Sequence, residues 1–174
     1  MARFEILNPN DQPLGKWRLL HQLRACLGSN EFNSLRMTVA FAKTGPLARL
    51  ATEIDRWLDR KNTIEAVFGI DHQGTSKQAL EFALKKFTAT WVLHVGPRAT
   101  FHPKMYFFIG PDRARLFLGS HNLTVGGTET NFEACTILSM DPSADKETLT
   151  ELVNWWNEAH SVSPDFHRPY GPWY

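Results

Sequence analysis

Cysteine is almost missing from this 174-residue chain: Cys26 and Cys135 lie far apart and lack CxxC spacing. That argues against a disulfide-stapled scaffold, so two reduced, partly buried thiols are expected. Long apolar runs are missing too. No stretch approaches the roughly 18–20 apolar residues that span a bilayer. The opening Met1-Ala2-Arg3-Phe4-Glu5-Ile6-Leu7-Asn8 is too short of apolar residues for a signal peptide. A cytoplasmic protein with no membrane partner is the expectation. Charge of one sign is also lacking, since 19 Lys+Arg against 18 Asp+Glu leave a net of +1. No global basic field announces nucleic acid, which weakens a DNA-coating role but spares an enzyme with basic residues in one cleft. The seven histidines do not pair at i+2 or i+4 and the cysteines are isolated, so neither a metal nor any other cofactor is expected.

What the chain does have is the making of a core. A hydrophobic content of 43% with 12 Phe and 6 Trp excludes disorder and suits one domain over 1–174. Within it, 1–30 reads as an N-terminal helical segment, its helix running from Lys16 to Ser29 on a Leu19, Leu20, Leu23, Leu27 stripe. Leu35–Ala42 reads as a strand. Pro46 opens a helix with Leu47, Leu50, Ile54, Trp57 and Leu58 at three- to four-residue spacing. Thr63–Ile70 is the next strand. Thr75 with Gln78 forms a capping box for a helix carrying Leu80, Ala83, Leu84 and Phe87, and Trp91–Val95 is a further strand. This β-α-β-α-β order predicts a parallel sheet covered by helices.

The second half changes character. Phe101–Ile109 and Arg115–Leu118 read as strands joined by a hairpin turn at Gly110-Pro111-Asp112-Arg113. A strand over Asn131–Leu138 and a helix from Lys146 to His160 follow, with Leu149, Leu152, Val153 and Trp156 inward. The fold class is therefore α/β with a mixed central sheet. The tail, 163–174, carries three prolines and reads as irregular.

Chemistry concentrates at His102-Pro103-Lys104, Gly119-Ser120-His121-Asn122 and Glu133. Strand side chains alternate, so His102, Lys104 and Tyr106 share a face: a nitrogen nucleophile and a cation directed at one phosphate. Pro103 cannot donate to a ladder and marks an edge or a bulge. The glycine of the second motif admits close backbone approach, while Ser120 and Asn122 offer donors to phosphate oxygens. Glu133 can take the Nδ1 proton of His102 and leave Nε2 free to attack. His121, Thr124, Lys43 and His72 are candidate substrate contacts; Lys43 and the loop holding His72 fall at strand C-termini, where α/β proteins bind ligands.

These segments resemble the phospholipase D superfamily, whose signature pairs HxK with GSxN. Phe41-Ala42-Lys43, Gly69-Ile70-Asp71 and Gly74-Thr75-Ser76 further resemble the branch of metal-independent restriction endonucleases. The resemblance spans about 35–160 and implies a phospholipase D-like α/β/α sandwich, catalytic residues His102, Lys104, Ser120, Asn122 and Glu133, and hydrolysis through a phosphohistidine. It also departs from the pattern: where the family carries an aspartate five residues after the lysine, this chain has Ile109. One HxK per chain resembles the members that build one site between two subunits. The implied partners are DNA, a second copy of the chain and a separate specificity domain or protein. Rival readings are a phospholipid phosphodiesterase and a non-catalytic dimeric nucleic-acid-binding module that keeps the phosphate pocket.

Overall fold

A computed structural model describes residues 2–95, 99–161 and 167–169. Its eight strands form one sheet in the order β1-β7-β6-β5-β2-β3-β4-β8. In chain order the strands are β1 (Arg3–Leu7), β2 (Ser34–Val39), β3 (Thr63–Gly69), β4 (Ala89–Leu93), β5 (Lys104–Ile109), β6 (Ala114–Gly119), β7 (Cys135–Met140) and β8 (His167–Pro169). The helices are α1 (Leu19–Gly28), α2 (Thr44–Arg49), α3 (Ala51–Asp59), α4 (Lys77–Lys86) and α5 (Lys146–Ser161). β2, β3 and β4 pair in parallel, and every other ladder is antiparallel. The predicted α/β class with a mixed sheet is thus observed.

Strand alternation builds two cores, one on each face. Tyr106 and Phe108 of β5 point to one side, where α1 to α4 bring Leu19, Leu23, Leu47, Ile54, Trp57 and Leu80. Met105 and Phe107 point to the other, where Trp156 is buried and Leu149, Leu152 and Val153 of α5 pack on it. The result is helix, sheet, helix.

Several boundaries differ from the sequence reading, each for a local reason. The segment 1–30 opens with a strand, β1, which pairs with β7 from Arg3↔Ser139 to Leu7↔Cys135. Its side chains remain largely exposed, so it carries no burial pattern. α1 begins only at Leu19, because Lys16 and Trp17 are used in a turn whose amides bond to the Asp11 carbonyl. The helix opened near Pro46 is two helices, broken at Leu50 (φ −104°, ψ 2°). Thr75 is not the cap of α4. Ser76 is, accepting from the Ala79 amide, while Thr75 Oγ1 donates to the Gly69 carbonyl and accepts from the Ala42 amide. Leu84 consequently faces outward. The strand expected from Asn131 starts at Cys135, after a π-helical turn at Gly126–Thr130. Pro103 lies on no edge: it immediately precedes β5, which is paired on both sides by β2 and β6. The tail is described only at β8, antiparallel to β4; the rest of 163–174 lies outside the described residues. Both cysteines are free and buried, and burial raises their thiol pKa values to about 11 (Cys26) and about 12 (Cys135).

Trp57 links a helix to the sheet. Its ring is fully buried against Phe108 and its Nε1 donates to the Thr63 carbonyl at 3.1 Å. Replacing it, Trp57→Ala, should remove about 3–5 kcal/mol of unfolding free energy, which urea titration will measure.

Candidate active site

The central strand opens at Lys104, with His102 two residues before it. Pro103 O accepts from the Ala40 amide at 3.1 Å, and the next residue, Lys104, enters the ladder opposite Val39. Alternation puts Lys104 over Tyr106 and Phe108, so its stem is buried by the core beneath and only 4% of the residue is exposed. Its Nζ donates to the His102 carbonyl at 2.7 Å and lies 2.6 Å from Nδ1 and 2.9 Å from Nε2 of the same residue. The His102 ring is exposed on its other side and meets Phe41 edge-on. Loss of hydration and then the Lys104 charge lower the His102 pKa, which favours the neutral, nucleophilic imidazole. Desolvation likewise lowers that of Lys104, opposed by the charge of Glu133.

The second motif arrives from β6. Met105↔Leu118 is the last β5–β6 pair, so Gly119 and Ser120 lie beside Lys104. A Cβ on Gly119 would stand 2.1 Å from the Ala134 carbonyl oxygen, which is the physical reason for glycine there. Ser120 Oγ donates to Glu133 Oε2 and accepts from the Ala134 amide. Asn131 Nδ2 donates to the other carboxylate oxygen at 3.4 Å. Glu133 therefore turns to Ser120 and Asn131 and, electrostatically, to Lys104; it makes no hydrogen bond to His102, whose Nδ1 faces the amine instead. The lysine two residues along the same strand reaches the imidazole first.

Asn122 is fixed by the end of β2. Its Oδ1 accepts from the Phe41 amide at 3.1 Å, Leu123 N donates to Phe41 O, and Ala42 bridges Leu123. The π-helical turn packs so closely on Asn122 that a Cβ at Gly127 would stand 2.3 Å from its carbonyl oxygen. Gln12 clamps that turn: Nε2 donates to the carbonyls of Gly127 (3.1 Å) and Asn131 (3.2 Å), and Oε1 accepts from Leu19 N at the start of α1.

The candidate contacts separate. Lys43 is exposed at the start of α2 and donates to the Gln73 carbonyl at 3.2 Å. His72 is exposed, and its Nε2 lies 2.9 Å from Thr100 Oγ1. His121 is only 2% exposed, edge-on to Trp17, with burial holding its pKa down to about 4. It lies in the loop beyond β6, where packing against Trp17 and the Tyr106 hydroxyl on its carbonyl hold it inside the core and off the surface. Thr124 supports the π-helical turn: Oγ1 accepts from Gly127 N, and its carbonyl accepts from Thr128. Sequence reasoning missed Gln12, whose isolation in a polar N-terminal stretch gave no signal, and Tyr106 as a brace. Tyr106 is fully buried, donates to the His121 carbonyl at 3.0 Å, and has its pKa raised by desolvation.

The arrangement is of phospholipase D type in its fold. The chain superposes on NucT from Helicobacter pylori with a TM-score of 0.62 at 17% identity, covering 91% of this chain and 95% of that one. It superposes equally on Nuc from Salmonella typhimurium, a phospholipase D family member, with a TM-score of 0.62 at 14% identity over 99% and 100%. Phosphatidylserine synthase from Haemophilus influenzae follows, at a TM-score of 0.58 and 14% identity, over 91% of this chain but 39% of that one. No protein-family model and no curated protein sequence matches the chain. No helix among the described residues is long and apolar enough to cross a membrane.

Gly119→Ala forces β6 and β7 apart beside Lys104. It should cost about 1–3 kcal/mol by overpacking, read as a lowered Tm, and should weaken binding of an oxyanion such as vanadate.

Proposed function

We propose that the protein is a metal-independent phosphodiesterase, an endonuclease hydrolysing DNA through a phosphohistidine in a site shared by two copies of the chain. The observation that carries this reading is the grouping at the β5–β6 end: an imidazole and a buried amine from one strand, beside the Ser120–Glu133 pair, with Asn122 pinned to β2. A neutral His102 Nε2 attacks phosphorus and forms a P–N bond as the P–O bond to the leaving oxygen breaks. The second copy's His102, protonated, gives that oxygen its proton. It then takes a proton from water, which attacks phosphorus and breaks the P–N bond. Lys104 and Asn122 of each copy balance charge on the phosphoryl oxygens, a role that divalent ions fill in other phosphoryl-transfer sites.

Two facts favour a shared site. Each chain carries one HxK motif, and one imidazole cannot attack and protonate the leaving group in the same step. The surface bordering Ser120 and Glu133 exposes Phe132 (71%) and Leu118 (45%), apolar area of the kind a second copy would bury. DNA is favoured over lipid because the turns leading to His102 carry exposed polar or basic side chains, Lys43, His72 and His94, tied to Gln73, Thr100 and Asp71. In this reading, sequence choice falls to a partner domain or protein.

Plasmid and single-stranded DNA incubated in excess EDTA should be nicked by the wild type, and His102→Ala should cut roughly 10³-fold more slowly. Binding without wild-type cleavage would favour a nucleic-acid-binding module, and cleavage abolished by EDTA would overturn the mechanism. The pH profile follows from the shifts. Attack needs neutral His102, whose pKa is depressed, so the acid limb of kcat/KM should lie below the ordinary histidine value of 6.5. Leaving-group protonation needs the second copy's His102 still protonated, so the alkaline limb follows that same depressed imidazole, and loss of the Lys104 proton, its pKa also held below the ordinary lysine value of 10.5, adds a second fall at higher pH. Initial rates from about pH 4 to about pH 11, bracketing the ordinary histidine and lysine values, will locate the limbs.

A further inference from the structure

One carboxylate outside the grouping above is buried and fully engaged. Asp71 stands two residues beyond β3 and is 6% exposed. Oδ1 accepts from His94 Nδ1 at 2.7 Å and from the Val95 amide at 3.3 Å; Oδ2 accepts from the Phe101 amide at 3.2 Å. A single side chain thus holds both ends of the connection 95–101, and the far end is the residue before His102. Burial alone would raise its pKa, but the N–H groups of Phe101, His94 and Val95 outweigh that, so the clamp is an ionised carboxylate.

The backbone around it shows what is being held. A Cβ at Gly69 would meet the Ala40 carbonyl oxygen at 2.9 Å and the Phe101 carbonyl oxygen at 3.2 Å, so Phe101 rests directly on β3. On the other side of His102, Pro103 O accepts from Ala40 N. His102 is therefore the one residue between two anchors, Phe101 on Asp71 and Pro103 on β2. The turn after Asp71 supports the same purpose. His72 and Gln73 are successive non-glycine residues in the left-handed region (φ 56° and 55°), a conformation that persists only where surrounding contacts fix it. Those contacts are His72 to Thr100 and Lys43 to the Gln73 carbonyl.

We infer that Asp71 is a positioning residue for His102: it fixes the approach of the chain into β5, and through it the placement of the imidazole over Lys104. This rests on the proposed role of His102 but can be tested without it. Asp71→Asn keeps size and one acceptor yet offers an N–H₂ where a second acceptor is needed, so one end of the connection meets donor against donor. His94→Ala removes only the side-chain donor and leaves both backbone ends held. Asp71→Glu keeps the charge and both oxygens.

The measurement is the His102 imidazole resonance in the full chain by NMR, with Tm and DNA cleavage kinetics recorded in parallel. Asp71→Asn should move the His102 resonance more than His94→Ala does, and Asp71→Glu should restore part of the shift. Turnover of Asp71→Asn should fall roughly 10- to 100-fold, the cost of misplacing a nucleophile by an ångström or less, with KM within about threefold. Leu152→Ala on α5, matched in Tm, should keep its turnover and its His102 resonance. An unmoved resonance in Asp71→Asn, or one that moves equally in Leu152→Ala, overturns the inference. If the wild type cleaves no DNA, the proposed reaction fails and the resonance alone decides the role of Asp71. Should Asp71→Asn not fold, Asp71→Glu against the wild type carries the same comparison.

Discussion

Everything chemical in this molecule hangs on β5 being paired on both sides. A strand hydrogen-bonded to β2 and to β6 has no freedom to slip, because a slip of one residue would exchange its two faces. Here both faces are buried: Tyr106 and Phe108 in one core, Met105 and Phe107 in the other. The register that buries four aromatic and aliphatic side chains is the register that lifts Lys104 and His102 to the strand's end on a single face. Packing energy, spread over many contacts, thus fixes the position of two polar groups that could not fix themselves.

That placement has an electrostatic consequence. A lysine over a hydrophobic core loses hydration, and its charged form becomes costly unless something answers it. Glu133 answers in part, and the His102 carbonyl accepts one of its protons. The incomplete answer is functional in the proposed reaction: a poorly solvated cation gains more from a phosphate than a hydrated one does. The same desolvation keeps His102 neutral. Ser120 and Asn131, by holding Glu133, keep the carboxylate near the amine without letting it bond to the imidazole. The sequence reading put Glu133 on His102 Nδ1 because it weighed pairwise roles without distances. The lysine, sharing the histidine's strand face, wins by proximity.

How far the sequence reached depends on whether periodicity or contact made the feature. Strands β2 to β6, α1, α4 and α5 were legible because their apolar residues recur with the period of the element, and Trp57 and Trp156 are indeed core. β1 was not legible: an edge strand exposed on most of its residues has no pattern to read. Thr75 and Ser76 illustrate a finer limit. Either can cap a helix; what decided was the gap between the ends of β2 and β3, which Thr75 bridges and Ser76 does not. His121 was read as a substrate contact from its place in the Gly-Ser-His-Asn loop, yet tertiary packing against Trp17 buries it. Asp71 and Gln12 act through backbone atoms distant in sequence, and no spacing rule can announce that.

Ile109 poses the sharpest question about the resemblance, since an aspartate is expected there. The strand answers it. Ile109 pairs with Ser34 and Ala114 at the end of β5 opposite to Lys104. Five residues of extended chain put it about 16 Å from the lysine. No hydrogen bond or short charge pair spans that distance, and alternation turns Ile109 toward the α5 core, where it packs half-buried, while Lys104 faces the other way. Any role of an aspartate at this position is therefore confined to the hairpin end of the sheet. In this chain that end is held without it: Gly110 N donates to Arg113 O across the turn, Asn33 N donates to Ile109 O, and Arg113 pairs with Glu31. A strand needs its far end secured if its near end is to hold His102 and Lys104 in place, and apolar packing with main-chain bonds secures it here. The substitution thus changes how β5 is anchored and leaves intact what β5 presents.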